Sequence, residues 1–300
     1  MAAKKKSKSS ATAASVQRPS QPLSQLLRLP QGPVDLATLA TDATHGFPGK
    51  SKADAPALAD ALEPELSDLQ ERLYANGRSF PDKAKSLLVL LQGMDTSGKG
   101  GVIRHAMGMV DPQGIQLTSF KAPTEEERKH HYLWRIRKAL PDPGMIGIFD
   151  RSQYEDVLIV RVDKLVPVSE WSKRYDEINA LERKVVEGGT TIIKCFLHVS
   201  FEEQKARLEA RLASPDKYWK YNPGDIDSRS KWPAYQQAYA DALERCNTDE
   251  APWFVIPSDR KWYRNWAVAQ LVKEHLVGMD LTWPEATFDV AAEKARVAKA

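Results

Sequence analysis

Residues 86–104 read SLLVLLQGMDTSGKGGVIR, an apolar run followed by a loop that fits the pattern G-x-x-x-x-G-K. Gly93, Gly98 and Lys99 occupy the fixed positions of this pattern. Such glycines allow backbone N–H groups to face an anion without a Cβ in the way, and the following helix directs the positive end of its dipole to the same point. Because the loop lies between a strand-like run and an amphipathic segment, the sequence predicts a phosphate-binding P-loop rather than an ordinary glycine-rich turn.

The residue after Lys99 departs from the P-loop pattern, which places Ser or Thr there as a ligand of Mg²⁺. This residue is Gly100, so another oxygen must hold the metal ion that offsets phosphate charge. Asp95 lies inside the loop, where its carboxylate would repel phosphate unless a cation lay between them. We therefore expect Asp95 to be a metal ligand rather than a surface turn residue. Thr96 and Gly100 are expected to contact phosphate together with the three residues of the pattern.

A second cluster of chemically suggestive residues lies in the stretch MIGIFDRSQYEDVLIVRV at 145–162, which opens with an apolar strand. The strand ends in Asp150 and Arg151. P-loop enzymes carry a second metal-binding carboxylate at the carboxyl end of a buried parallel strand, and an arginine beside it suits a transferring phosphoryl group because it cannot lose its charge. The alternative interpretation is that Asp150 caps a helix and Arg151 is its solvated neighbour.

Apolar strands alternate with helices along the chain, which predicts a three-layer α/β fold: a five-stranded parallel sheet with helices on both faces. The pairs Thr124/Glu127 and Ser200/Glu203 have the spacing of a capping box and indicate two helix starts. The predicted strands are 86–91, 115–120, 145–149, 190–199 and 253–257. The predicted helices are 64–76, 99–109, 124–140, 153–161, 169–187, 201–212 and 260–276.

Composition divides the chain into one large domain with extensions at both ends. The 300 residues are 42% hydrophobic, which suffices for one α/β domain. We expect a disordered basic tail over 1–22, an irregular extension over 23–58, a P-loop kinase domain over 59–280 and a C-terminal tail over 281–300. Within the kinase domain, residues 206–232 are expected to form a basic lid.

The formal net charge of +3 conceals an uneven distribution. The first 22 residues contain five basic and no acidic side chains, so the rest of the chain has a net charge of −2. A polyanionic ligand must therefore be bound by a local basic cluster, and no specific nucleic-acid partner is expected. No apolar run reaches the roughly 18 residues of a membrane span, and two cysteines form neither a disulfide framework nor a zinc-binding pattern. These features predict a cytoplasmic protein without a membrane partner.

The expected lid carries the basic cluster. Arg207 and Arg211 are four residues apart on one helical face, and Lys217 and Lys220 follow. This segment follows the fourth strand, where P-loop kinases carry a lid, so we expect all four side chains to bind phosphate. The alternative is a solvated helix face that pairs with neighbouring glutamates. Lys121, just beyond the second strand, is either a further phosphate ligand or an exposed loop lysine.

Five stretches of the sequence together resemble the polyphosphate kinase 2 family, and the similarity is collinear from about residue 66 to residue 276. The strings GKGG and DRSxYEDV distinguish this family from ordinary nucleoside monophosphate kinases. The stretches are GMDTSGKGG (93–101), SFKAPT (119–124), FDRSQYEDV (149–157), ARLEARLASPDKYWKYNPGD (206–225) and APWFVIPSDRKWYRNW (251–266).

The resemblance implies reversible transfer of a phosphoryl group between inorganic polyphosphate and a nucleotide, with Mg²⁺, or alternatively Mn²⁺, as cofactor. It also implies a homo-oligomer, a dimer or tetramer. Tyr154 and Glu155 are implied to contact the nucleotide. The Glu155-Asp156 pair resembles the subgroup that accepts both AMP and ADP, whereas subgroups acting mainly on ADP typically carry Asn at the position of Glu155. The residues implied to be catalytic are Asp95, Lys99, Asp150 and Arg151, with Asp95 and Asp150 as the metal ligands.

Two other functions are compatible with the same fold. The first is an ATP-dependent kinase that phosphorylates a nucleotide or another small molecule. The second is a regulator that binds polyphosphate without turnover. Retention of Lys99, Asp95 and Asp150 together argues against the second, since binding alone does not require a complete set of phosphoryl-transfer residues.

Overall fold

A computed structural model describes residues 21–300, so all but the last two residues of the expected basic tail lie outside the described chain. The fold is organised around strand Ser86–Gln92 (β1), in which every residue is buried. The other four strands are Ile115–Ser119 (β2), Ile146–Asp150 (β3), Thr190–His198 (β4) and Trp253–Pro257 (β5). They form one sheet in the order β2-β3-β1-β4-β5, and every pair is parallel. The predicted five-stranded parallel sheet is confirmed.

Helices cover both faces of this sheet, as the sequence predicts. They are Leu23–Leu27 (α1), Ala55–Ser79 (α2), Lys99–His105 (α3), Glu125–Arg128 (α4), Leu133–Lys138 (α5), Ile159–Val162 (α6), Val168–Trp171 (α7), Arg174–Glu187 (α8), Phe201–Leu212 (α9), Gly224–Ser230 (α10), Trp232–Arg245 (α11), Lys261–Gly278 (α12) and Val290–Val297 (α13).

Two hydrophobic cores lie on opposite sides of the sheet. Alternate residues of β1 divide between them: Leu87, Val89 and Leu91 belong to one core, and Leu88 and Leu90 to the other. The first core is completed mainly by α2, α3 and α12, and the second by α5, α8 and α11. Burial of a leucine side chain contributes roughly 1.5–3 kcal/mol, so β1 contributes to the stability of both layers at once.

Helix α2 is longer than predicted. The sequence predicted a start at Pro64, but the helix begins at Ala55 and passes through this proline. Leu62, Leu66, Leu69 and Leu73 are buried along its length, and this packing outweighs the roughly 3 kcal/mol cost of an internal proline. The predicted stop near Gly77 is also wrong, since the helix continues to Ser79. A Cβ at position 77 would lie 2.4 Å from the Pro143 carbonyl oxygen, so this glycine permits close packing instead.

Four other predicted helices are interrupted or shortened. The segment predicted over 124–140 is divided into α4 and α5, and the one over 169–187 into α7 and α8. The helix over 99–109 ends at His105 and is followed by a 3₁₀ turn, while the segment over 153–161 starts as a 3₁₀ turn, Gln153–Asp156, before α6. Hydrophobic periodicity indicates which face of such a segment is buried, but it does not reveal a local break in the helix. The four helix boundaries were therefore predicted wrongly.

The two predicted capping sites differ in their outcome. Thr124 and Glu127 form the complete reciprocal box at the start of α4. Ser200 accepts from the Glu203 amide at the start of α9, but the Glu203 carboxylate instead accepts from Arg207 at 2.7 Å.

The N-terminal extension packs into the same core as the rest of the chain. Within 23–58, α1 and two 3₁₀ turns precede the start of α2, and the rest is irregular. Leu23 and Leu27 are almost fully buried. The Glu274 carboxylate accepts from the amides of Leu23 and Ser24 at 2.9 and 2.8 Å, a suitable partner for the first turn of a helix.

The sequence analysis did not predict helix α11, although its hydrophobic residues have helical spacing. Its buried residues are Tyr235, Ala238, Tyr239, Ala242 and Leu243, which recur at helical spacing after a proline in the first turn. Beyond α12, the segment 281–300 contains α13, which has no buried residue. Across residues 21–300, none of the helices combines the length and apolar character needed to cross a membrane.

A buried ion pair connects the second core to the segment after β3. Lys194 on β4 is fully buried, and its ammonium group donates to Glu182 at 2.7 Å and to the Tyr154 hydroxyl at 3.0 Å. Glu182 also accepts from the Tyr154 hydroxyl at 2.7 Å and from the Gln153 amide at 2.9 Å. Every strong donor in this network therefore has an acceptor, as a buried charge requires.

We predict that Lys194→Met lowers the free energy of unfolding by about 3–5 kcal/mol, because Glu182 is left buried without its counter-charge. The double variant Lys194→Met/Glu182→Leu should recover most of this loss, since it removes both charges. Urea unfolding at constant m-value measures both changes. The control is Lys205→Met, which breaks an exposed pair of 3.7 Å with Glu209 and should change stability by less than about 0.5 kcal/mol. A double variant as unstable as the single one would contradict the prediction.

Candidate active site

The P-loop connects β1 to α3 and has the backbone conformation that its glycines predict. Gly93 and Gly98 have φ angles of 151° and 111°, which are accessible mainly to glycine. A Cβ on Gly93 would lie 2.6 Å from the Leu197 carbonyl oxygen, so a side chain does not fit there. Thr96 adopts a φ of 63° between them, and its buried hydroxyl has no hydrogen-bond partner within residues 21–300. A loop with an unused buried donor fits the anion that the sequence predicts.

Lys99 is the first residue of α3 and lies back across the loop. Its ammonium group donates to the Gly93 carbonyl at 2.8 Å. Burial, assisted by Arg151, lowers the pKa of Lys99, while Asp95, Asp150 and Glu155 act in the opposite direction. The lysine is thus surrounded by the charged residues that the sequence assigned to the site.

Pairing between β1 and β3 brings the second cluster to the P-loop. Leu91 is in register with Asp150, and the Arg151 amide donates to the Leu91 carbonyl at 3.1 Å. Arg151 has a φ of 65°, and its guanidinium lies 3.0 Å from the Asp95 carboxylate. Burial opposes the charge on Arg151, but Glu155, Asp95 and Asp150 outweigh it and raise its pKa.

The Asp150 carboxylate accepts no hydrogen bond from the described part of the chain and is partly exposed at the end of β3. One oxygen of Asp95 accepts from Arg151, and the other accepts none from these residues. Residues 21–300 contain no group of three acidic, histidine or cysteine side chains arranged to hold a metal ion. Two carboxylates with unused oxygens nevertheless fit a divalent ion that obtains its remaining ligands from phosphate and water.

Glu155 lies at the same edge of the sheet. Burial raises its pKa, although Arg151 and Lys99 favour its ionised form. Tyr154, which was expected to contact the nucleotide beside it, does not reach the cleft. It is fully buried, and its hydroxyl bonds to Glu182, so this assignment is corrected: consecutive residues of the 3₁₀ turn point in different directions.

One cleft of about 530 Å³ is lined by five of the predicted site residues. Its walls include Gly93, Asp95, Lys121, Arg151 and Glu155. Lys121 is exposed, as expected for the loop lysine that was the alternative to a phosphate ligand, yet it lines the cleft. The cleft therefore combines both signs of charge, as a site for a metal-bound phosphate requires.

The sequence analysis assigned no role to several charged residues of the cleft, among them Arg135 and Asp225. Arg135 on α5 is buried, and it donates to the Lys121 carbonyl at 2.8 Å. Burial, followed by the charge of Asp95, raises the pKa of Asp225 on α10. A charged side chain between the apolar residues Leu133 and Ile136 was the available signal for Arg135.

The four basic residues of the expected lid do not act alike. Arg211 donates to the Lys220 carbonyl at 2.8 Å and to Asp225 at 3.1 Å, so it lies beside the cleft. Lys217 and Lys220 are exposed on the 3₁₀ turn Pro215–Lys220. Arg207 was expected to bind phosphate, but it is buried and its donors contact backbone carbonyls of the P-loop and of residues 258–259. The structure thus corrects its role, because a guanidinium already bonded beneath the loop is not available to an anion in the cleft.

A family profile described as polyphosphate kinase 2 matches residues 54–282. The chain belongs to the polyphosphate kinase 2 family. An AMP/ADP-polyphosphate phosphotransferase from Meiothermus ruber is 44% identical over 265 residues, which cover 88% of this chain and 96% of the relative. An ADP-polyphosphate phosphotransferase from Rhodopseudomonas palustris is 40% identical over 74% of this chain and 79% of its own length.

A solved structure supports the same family. The crystal structure of polyphosphate kinase 2 from Arthrobacter aurescens TC1 is 48% identical to this chain and matches it with a TM-score of 0.89. The match covers 94% of this chain and 98% of the other. The three-layer P-loop kinase fold predicted from the sequence is therefore confirmed.

We expect Asp150→Asn and Asp95→Asn each to lower kcat by at least about 100-fold, because each removes a negative charge that would hold a divalent ion against the phosphates. Activity at saturating metal concentration and the metal concentration for half-maximal activity are the measurements. Asp68→Asn on α2, where the carboxylate is half-exposed and paired with Arg72, is the control for loss of one carboxylate outside the cleft. Near-normal activity of Asp95→Asn at saturating metal would contradict a role for Asp95 in place of the missing Ser or Thr.

Proposed function

We propose that this protein transfers a phosphoryl group reversibly between inorganic polyphosphate and a nucleoside mono- or diphosphate, interconverting AMP, ADP and ATP. The main support for this proposal is that the P-loop lies next to Asp150 and Arg151, at the carboxyl ends of β1 and β3. The printed names of the Meiothermus and Rhodopseudomonas relatives support the choice of substrates.

The reaction requires little covalent chemistry from the protein. The attacking atom is a phosphate oxygen that is already anionic at neutral pH, so no general base is needed. As a P–O bond to this oxygen forms, the P–O bond to the leaving phosphate breaks, and one phosphoanhydride replaces another. Catalysis then depends on alignment and on neutralisation of negative charge. Lys99 and the loop amides would bind phosphate oxygens, and Arg151 would stabilise the transferred group.

We propose Mg²⁺, with Mn²⁺ as an alternative, as the metal ion of the reaction. Asp95 and Asp150 would hold it through the carboxylate oxygens that accept no hydrogen bond from residues 21–300. When bound, the ion supplies neutralisation of phosphate charge. The hard oxygen ligands favour such a cation over zinc or copper.

The two substrates would occupy different parts of the cleft. Glu155 faces the cleft near Arg151 and is proposed to contact the nucleotide, in keeping with acceptance of both AMP and ADP. Arg211, Lys217 and Lys220 are proposed to bind the polyphosphate chain, with segment 206–232 acting as a lid. Lys121 would contribute to phosphate binding from the opposite wall. Self-association into a dimer or tetramer and a cytoplasmic location stay predictions.

A comparison of donors tests the proposal. We expect transfer of phosphate to labelled AMP and ADP from polyphosphate, and formation of polyphosphate from ATP in the reverse direction. The same preparation is assayed with ATP as donor to AMP and to GDP. Efficient use of ATP with no use of polyphosphate would favour an ATP-dependent kinase, and polyphosphate binding without turnover would favour a regulator.

We predict that Arg211→Ala raises the KM for polyphosphate several-fold more than the KM for the nucleotide. Salt should also weaken polyphosphate binding less in this variant than in the wild type, because each lost contact removes a screened charge interaction. Steady-state kinetics at two ionic strengths measure both effects. Arg183→Ala on α8 is a control for loss of an exposed arginine. A change in the nucleotide KM alone would place Arg211 in the nucleotide site.

A further inference from the structure

Two arginines from different helices meet at the P-loop, and neither of them lines the cleft. Arg207 on α9 and Arg264 on α12 have exposed fractions of only 7% and 3%. The Ser97 carbonyl accepts from both guanidinium groups, at 3.1 Å from Arg207 and 3.0 Å from Arg264. Arg207 also donates to the Thr96 carbonyl at 2.9 Å. The two side chains thus bind the backbone of the loop.

These contacts determine which way one peptide group faces. The carbonyl of Ser97 and the amide of Gly98 belong to one planar trans peptide, so they point in opposite directions. Because the carbonyl is drawn towards the arginines, the Gly98 amide is directed away from them. In the described chain, the amides of Gly98, Lys99 and Gly100 donate to no protein acceptor. These are the donors that a P-loop offers to phosphate.

Arg264 also places an unusual charge beneath the loop. Its other donors contact the Asn265 amide oxygen at 3.2 and 2.8 Å, and no carboxylate within residues 21–300 pairs with it. Burial, followed by the charge of Arg207, lowers the pKa of Arg264 to about 9, so it remains protonated at neutral pH. Arg207 has Glu203 as its partner at 2.7 Å. An unpaired buried cation raises the positive potential at the loop and favours an anion there.

Gly98 is required not only by the backbone conformation of the loop but also by the space that Arg264 occupies, and the same space requires Gly101. A Cβ on Gly98 would lie 1.8 Å from the Arg264 guanidinium, and one on Gly101 would lie 2.6 Å from it. Position 100 differs, since no atom lies within 4 Å of a Cβ there. Gly98 and Gly101 therefore leave room for Arg264 to approach the loop.

We propose that Arg264, together with Arg207, is a positioning residue of the phosphate site: it holds the Ser97–Gly98 peptide with its amide facing the anion and adds a buried positive charge beneath it. The expected change in kcat rests on the proposed function. The expected change in anion binding does not. Arg264, within the final stretch RKWYRNW of the sequence motif, is thus assigned to the support of the loop rather than to contact with a substrate.

The test compares the wild type with Arg264→Met, which is similar in length and uncharged. We expect kcat for phosphoryl transfer to fall about 10- to 100-fold, because a misdirected donor loses transition-state contact. The rise in thermal midpoint caused by inorganic tripolyphosphate should fall to less than half, while the midpoint without ligand stays the same or increases, because a buried unpaired charge is removed. Arg264→Lys, which keeps the charge without the planar fork, should recover more of the tripolyphosphate effect than of kcat.

The control for charge is Arg260→Met, one helical turn earlier, where the side chain is half-exposed. It should leave both kcat and the tripolyphosphate effect unchanged. An Arg264→Met variant with wild-type kcat and a wild-type tripolyphosphate effect would overturn the proposal. If the wild type shows the tripolyphosphate effect but transfers no phosphate, the proposed function fails and the binding comparison still tests the role of Arg264.

A second variant keeps the proposal testable if Arg264→Met does not fold. Gly101→Ala should displace the guanidinium and lower kcat, whereas Gly108→Ala, where no atom lies within 4 Å of the new Cβ, should not. In a double-mutant cycle, Gly101→Ala should add little to the effect of Arg264→Met, since both act on the same contact. Equal kcat values for Gly101→Ala and Gly108→Ala, or additive losses in the cycle, would overturn the proposal.

Discussion

The site depends on the register between β1 and β3, which places Leu91 opposite Asp150. This pairing brings three carboxylates, Asp95, Asp150 and Glu155, next to the cations Lys99 and Arg151 in a partly buried space. Neither set would be stable there alone, because a buried charge without a counter-charge costs several kcal/mol. Together they give a locally compensated cluster whose remaining negative oxygens can accept a metal ion. The pairing and register of β1 and β3 thus determine which charges meet in the cleft.

Much of this arrangement could be predicted from the sequence, because it follows from local patterns. The apolar run 86–91 and the glycine spacing identify β1 and the P-loop, and the strand that ends in Asp150 identifies β3. Parallel strands separated by helices then place both carboxyl ends at one edge. The same logic predicts the cleft that contains Asp95, Arg151 and Glu155, although it does not give the ion pair between the first two.

The sequence could not show which charged residues face the ligand and which support it from behind. Arg207 and Arg211 lie on one helical face by spacing, yet the first is buried against carbonyl groups and the second lies beside the cleft. Tyr154 is adjacent to Glu155 but belongs to the core. The burial of Arg207 and Tyr154 depends on contacts with residues more than 25 positions away, such as Thr96 and Glu182, and helical periodicity contains no information about such contacts.

The hydrogen bonds from the Leu23 and Ser24 amides to Glu274 join residues about 250 positions apart. During synthesis, α1 and the apolar face of α2 therefore leave the ribosome long before α12, the helix that covers them, has been made. The first core therefore cannot form until almost the entire chain has been synthesised. The entropic cost of bringing such distant segments together arises only at that late stage. Until then, the leucines that α1 and α2 bury in the first core are exposed on the nascent chain, where they favour aggregation.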